Sequence, residues 1–117
     1  MVMPVGVKQL SELVYEKFGI RTRAKVNPVT ASLGTTATLV LKSNPNRLAW
    51  ILINLSANVI YLGFSRDVSS TKGIRLNANG GLTSMIWDED FDITGWEIYG
   101  VATGADSAIF SYEMESY

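Results

Sequence analysis

The sequence predicts a mainly β chain, an antiparallel β-sandwich (jelly-roll-like) of about eight strands preceded by one short N-terminal α-helix. Three observations carry that expectation. Apolar residues recur at three- and four-residue spacing in one early segment. From Gly19 onward, β-branched and aromatic runs are broken at short intervals by Gly, Asn, Pro and Ser. The separators are also too short for parallel crossovers, which need about a dozen residues or more.

The helix is read first. Val7, Leu10, Leu13, Val14 and Phe18 fall on one stripe, and Lys8, Gln9, Glu12, Glu16 and Lys17 fill the remaining positions, the pattern of an amphipathic helix from Val7 to Phe18. Pro4 stands before its start, and Gly19 stands where a left-handed C-terminal cap is common. Strands are then expected near Arg21 to Val26, Thr36 to Leu41, Leu48 to Asn54, Val59 to Phe64, Gly73 to Leu76, Leu82 to Trp87, Trp96 to Ala102 and Ser107 to Met114. The intervening Ser43-Asn44-Pro45-Asn46, Ser56-Ala57-Asn58, Asn77-Ala78-Asn79-Gly80-Gly81 and Thr103-Gly104-Ala105-Asp106 carry turn-forming residues. This divides the chain into an N-terminal arm and helix, 1–20, and a β-sandwich, 21–117.

Two strands make specific demands. Leu48 to Ile53 is apolar at every position, so it is expected to be covered on both sides, by the opposing sheet and by the helix or another subunit. In Ser107 to Met114, Ala108, Phe110, Tyr112 and Met114 alternate with Ile109, Ser111, Glu113 and Glu115. The second set reads as the solvent face.

Composition narrows the function. At 117 residues the chain fits a single domain. It is 47% hydrophobic and 18% charged, below the roughly 25% charge of typical soluble domains, which suggests apolar surface reserved for partners. A net charge of -1 gives no reason to expect nucleic acid, whose binding rests on Lys and Arg neutralising phosphates. Cys and His are both absent. That removes thiol and Ser-His-Asp catalysis and imidazole or thiolate metal sites, so a non-enzymatic role without cofactor or metal is expected. The start has no basic region followed by an apolar run, and no segment approaches the roughly 20 apolar residues of a membrane helix. Synthesis in the cytoplasm, without membrane attachment, is the expectation.

Few motifs suggest chemistry. Asp88-Glu89-Asp90-Phe91-Asp92 begins like a calcium loop, but Ile93 and Tyr99 stand where an EF-hand needs Gly and Glu. A solvated inter-strand loop is the plainer reading. The same acids could serve glycoside hydrolysis, although neighbours in one loop fix a carboxylate separation poorly. Trp87 and Trp96 flank the loop and could stack on sugar rings, making Trp87, Asp88, Asp92 and Trp96 a candidate ligand site. Packing in a core or interface is the competing role for those indoles. Asn79-Gly80-Gly81 is a turn, since no Lys-Ser or Lys-Thr follows as in a phosphate loop. Asn54-Leu55-Ser56 matches a glycosylation acceptor.

Read in order, Asn46-Arg47, Ile53-Asn54-Leu55-Ser56, Ile60-Tyr61-Leu62-Gly63, Val68-Ser69 with Gly73-Ile74-Arg75-Leu76, Asn79-Gly80-Gly81 and Ile98-Tyr99-Gly100-Val101-Ala102 resemble a pattern in small β-sandwich virion accessory proteins of tailed phages and related viruses. The resemblance covers Asn44 to Glu115 and does not require the helix. It implies a virion location, a capsid decoration or cement role or another head or tail accessory role, and partners in a capsid or other virion protein and in itself. A homotrimer would suit threefold positions of a shell and gain avidity from linked copies. The candidate contact residues for self-association or particle attachment are Val7, Leu10, Val14, Phe18, Trp50 and Leu52. The alternative is a carbohydrate- or receptor-binding module on the same fold.

Overall fold

Strand pairing arranges the chain as a long antiparallel ribbon rolled onto itself. A computed structural model describes residues 9–27 and 32–117; the expected helical position Val7 lies outside them. The strands are β1 (Thr22–Asn27), β2 (Ser32–Leu33), β3 (Thr38–Leu41), β4 (Arg47–Asn54), β5 (Ile60–Gly63), β6 (Ile74–Leu76), β7 (Leu82–Ile86), β8 (Ile98–Ala102) and β9 (Ser107–Ser116). The helices are α1 (Leu10–Phe18) and the single turn α2 (Trp87–Asp90), which a 3-10 turn over Phe91–Gly95 continues.

Thr22 pairs with Ser116, Thr38 with Gly100, Ala49 with Ile86 and Ile60 with Leu76. These four pairs nest around one centre near Val68. Rolling the ribbon adds the pairings β4 with β9 and β5 with β8, giving sheets in the orders β1-β9-β4-β7, with β2 also on β9, and β3-β8-β5-β6. All these pairings are antiparallel, and this is the strand order of a jelly roll. The expected mainly β antiparallel sandwich is therefore the fold. Leu33, Trp50, Leu52 and Ile109 from the five-stranded sheet meet Leu41, Ile60, Leu62, Leu76, Ile98 and Ala102 from the other in one core. Each such aliphatic side chain contributes about 1.5–3 kcal/mol on burial.

Three local features depart from the expected reading. The pair β2 is an addition. The segment Trp87–Gly95, expected as the end of a strand and a loop, is helical. The largest correction concerns β9: Ser107, Ile109, Ser111, Glu113 and Glu115 are its buried side, while Ala108, Phe110, Tyr112 and Met114 are only partly covered. The alternation was legible, but its polar set points inward.

A bulge explains how charge is accommodated there. Between Arg47 and Ala49 the register of β4 on β9 shifts by one residue, which puts Arg47 on the same inner side as Trp50, Leu52 and Asn54. Its guanidinium then meets four acceptors: Nε donates to Glu113 Oε1 at 2.5 Å, Nη1 to the carbonyls of Thr94 and Trp96 at 3.3 and 3.0 Å, and Nη2 to that of Lys42 at 2.5 Å. Glu115 is flanked by Arg23 and Lys25 of β1 at 3.6 and 3.8 Å.

The opposite end is closed by neutral groups. Asn54, with no exposed surface, donates to the carbonyls of Asn58 and Leu76 and accepts from the amide and hydroxyl of Ser56. The sequence match to a glycosylation acceptor is thus a buried clamp. The Asn79-Gly80-Gly81 turn seats against it through Gly80 N–H to Asn54 O and Asn54 N–H to Gly81 O. Asn79 and Gly80 both take positive φ, and a Cβ on Gly81 would lie 2.4 Å from the Asn77 backbone, which is why glycine stands there.

The helix stands apart from this body. Gly19 closes it in the left-handed conformation (φ 70°), donating to Tyr15 O at 2.7 Å, as the sequence implied. None of its residues is buried. The resulting shape is elongated, 55 × 29 × 19 Å with a radius of gyration of 16.6 Å, against roughly 13 Å for a compact chain of this length.

Candidate functional site

Two surfaces stand out, one apolar and broad, the other a small aromatic cleft. The first follows from the strand register. Outward-facing residues on neighbouring strands form rows across the five-stranded sheet: Ala24, Met114, Ala49 and Ile86; then Val26, Tyr112, Ile51 and Ser84; then Phe110, Ile53 and Leu82. None of these residues is charged. Ala24, Val26, Leu82, Ser84 and Ile86 on the outer strands are exposed, and the residues of β4 and β9 between them are half-buried.

Helix α1 approaches this face without closing on it. Leu10, Val14 and Phe18 on one side and Ala49, Ile86 and Met114 on the other line an open groove of about 710 Å³. Leu10 is 77% exposed and Phe18 54% exposed, and Val14 is half-buried. An amphipathic helix this short gains most of its stability from packing its apolar side. That side has no close partner among the described residues.

The structure corrects the contact residues proposed on β4. Trp50 and Leu52 are 2% and 0% exposed and sit in the core, because alternation along the strand turns them inward. Their neighbours Ile51 and Ile53 carry the outward side, and only that side is left partly uncovered. The continuous apolar character of this strand thus serves two different surfaces.

The second surface lies at the Arg47 end. Trp87, Phe91, Asp92 and Trp96, with Ser43, Pro45 and Leu48, line a cleft of about 630 Å³, within the range of small-ligand sites. Of the candidate ligand residues, the fold brings Trp87, Asp92 and Trp96 together. Asp88 is exposed outside the cleft lining. Phe91 is an addition. Its position between Asp90 and Asp92, an aromatic residue set in a run of charges, was the available sequence signal.

The cleft wall is held from several directions. Asp90 reaches back to accept the Ile86 N–H at 2.9 Å, fixing the strand-to-helix turn. Arg47 binds the Thr94 and Trp96 carbonyls from behind, and Asn44 N–H donates to Gly95 O at 2.9 Å. Phe64 meets the Trp96 ring edge to face, centroids 5.8 Å apart. A Cβ at Gly95 would come within 2.8 Å of Asn44 O, so this close approach needs glycine.

Phe91 is strained. Its φ of 58° and ψ of −140° belong to a region used almost only by glycine, at a cost of about 1–3 kcal/mol. Yet its ring is 75% exposed, so burial offsets little of that cost. Asp92 is also exposed and makes no hydrogen bond or ion pair among the described residues.

The acidic run does not form a metal site. Among the described residues, no three His, Cys, Asp or Glu side chains are grouped to hold an ion. No described helix is long and apolar enough to cross a membrane. No protein-family model, curated protein or solved structure matches the chain.

Proposed function

We propose that the chain is a non-enzymatic structural protein that works by self-association, of the capsid decoration, cement or other head or tail accessory kind, and that its place is in a virion. The observation that carries the self-association is the uncharged outer face of the five-stranded sheet beside a helix with no buried residue. The virion assignment rests on the sequence resemblance; jelly rolls also serve in lectins and cupins, so the fold is neutral on that point.

The dimensions suit a second copy as the occupant of the face. Four strands spaced about 4.8 Å apart and three outward rows about 6.8 Å apart span roughly 400 Å². The exposed stripe of α1 adds about two and a half turns of apolar helix. Together they come to roughly 500 Å², about two-thirds of the roughly 800 Å² per partner of a standard interface. A helix of one copy laid in the groove of the next would cover both surfaces at once, and cyclic closure would stop the association from running into fibres. A trimer is the closure that the resemblance implies.

Sedimentation velocity over a wide concentration range tests this reading. The wild-type chain is expected to sediment as a small integral multiple of the chain mass, and Ile51→Lys as a monomer with unchanged far-UV circular dichroism. A wild-type monomer at every concentration, together with no co-sedimentation with virus particles from cells expressing the chain, would overturn the proposal.

A further inference from the structure

The aromatic cleft adjoins the groove beside the sheet face, sharing Leu48 and Trp87 with it, while Phe91, Asp92 and Trp96 line the cleft alone; its chemistry points to a ligand of a particular class. We propose that it binds a neutral pyranose glycan, whose apolar ring faces stack on Trp87, Phe91 and Trp96 while hydroxyl groups donate to the carboxylate of Asp92. Ring exposure, backbone strain and the charge of the lining select that class. The rings are presented to solvent, Trp87 at 47%, Trp96 at 51% and Phe91 at 75% exposure, and Phe91 keeps a positive φ as it closes the α2 turn, its N–H donating to the Trp87 carbonyl. Strain of this kind is concentrated at ligand clamps and active sites.

Charge excludes the nearest rivals. Arg47 is the one cation in the cleft lining, and its side chain is 1% exposed and committed to Glu113 and three carbonyls. No positive charge is left there to receive a sialic acid, sulfate or phosphate. A proline-rich peptide also docks on aromatic grooves, but its prolines offer carbonyl acceptors and no N–H donors. Asp92 is itself an acceptor, and it is matched by hydroxyl donors such as those of a sugar.

The test separates this inference from the self-association reading because its variants fall at Phe91 and Asp92, which line the cleft and not the groove. Cellohexaose, xylohexaose, chitohexaose and maltohexaose are titrated into the wild-type chain, followed by tryptophan fluorescence and calorimetry, beside a sialylated lactosamine, a sulfated disaccharide and decaproline. At least one neutral hexasaccharide is expected to bind saturably. Asp92→Asn and Phe91→Ala should each weaken it about tenfold, the loss of one charge-assisted hydrogen bond or one ring contact. Both variants should keep the wild-type sedimentation profile.

Phe91→Gly gives a signature that a structural role would not. Glycine accepts the native φ, so the melting temperature should rise while affinity for the sugar falls. Binding of the acidic sugars or decaproline alone, binding of none of the seven probes, or a Phe91→Gly variant that binds as tightly as wild type would each overturn the assignment.

Discussion

The two faces of the five-stranded sheet divide their chemistry unusually, because the inner face carries buried charge beside the core residues Leu33, Trp50, Leu52 and Ile109. Its inner face holds Arg47, Glu113 and Glu115 at 4%, 5% and 6% exposure, while Phe110, Tyr112, Met114, Ile51 and Ile53 on the outer face remain partly open. Arg47 and Glu113 are tolerated as a hydrogen-bonded ion pair, and Glu115, whose Oε1 accepts no hydrogen bond among the described residues, lies beside the cations of Arg23 and Lys25, which offsets part of the desolvation. Alternation along a strand says which residues share a side. Which side is covered depends on what the sheet packs against, and here the uncharged outer side is the one left partly open.

Removing one half of the inner charge pair should have the largest effect. Arg47→Ala removes the cation bound to Glu113 and unties the carbonyls of Lys42, Thr94 and Trp96, at a cost of about 3–5 kcal/mol in urea unfolding. Arg47→Met combined with Glu113→Leu should recover most of that loss; equal losses in the single and double variants would mean that the pair is not what matters. Next come two adjacent residues on opposite faces. Trp50→Ala should cost about 3–5 kcal/mol at any protein concentration, through the cavity it leaves. Ile51→Ala should cost less than about 1.5 kcal/mol under dilute monomeric conditions and show itself as weaker self-association. A concentration-independent loss at Ile51 as large as that at Trp50 would erase the proposed difference between the faces.

The smallest effect belongs to an ion pair in open solvent. Asp67 accepts from the Ser65 hydroxyl and from Lys72 Nζ, and those hydrogen bonds, with the Lys72 charge, hold its carboxyl below the usual aspartate value. A lowered folded-state value stabilises the fold above the unfolded-state value, and the contribution fades as pH falls through the folded-state one. Because Asp67 is exposed, the contribution should be small and weakened by salt. Urea midpoints of wild type and Asp67→Asn should therefore differ slightly near neutrality and converge in acid; a difference that grew on acidification would reverse the sign.

Much of the fold was legible from the residues, and what was missed has identifiable causes. All eight expected strands occur, with ends displaced by a few residues, because their β-branched runs and turn separators are local signals. The two-residue β2 offers no period to read. The bulge that turns Arg47 inward is a backbone event between two apolar neighbours, and no side-chain pattern announces it. The inversion of β9 came from assigning Glu113 and Glu115 to water when a buried guanidinium and the basic pair of β1 were waiting for them. At the cleft, Trp87, Asp92 and Trp96 were identifiable as aromatic and acidic residues near one loop. Phe91 and Arg47 needed the helical turn and the strand register to bring them there.

The nested pairing around Val68 also implies an order of events in time. The β5–β6 pair closes across the shortest span of chain, whereas β1 must find β9 across nearly the whole length, and closing a longer loop costs more entropy. Assembly of the sandwich should therefore spread outward from the centre of the sequence, with β1 the last strand to be zipped in and the first to open. The segment that joins last is the one that carries α1, so the helix is free to find a neighbour until the final step of folding, and folding and association become competitors for the same stretch of chain.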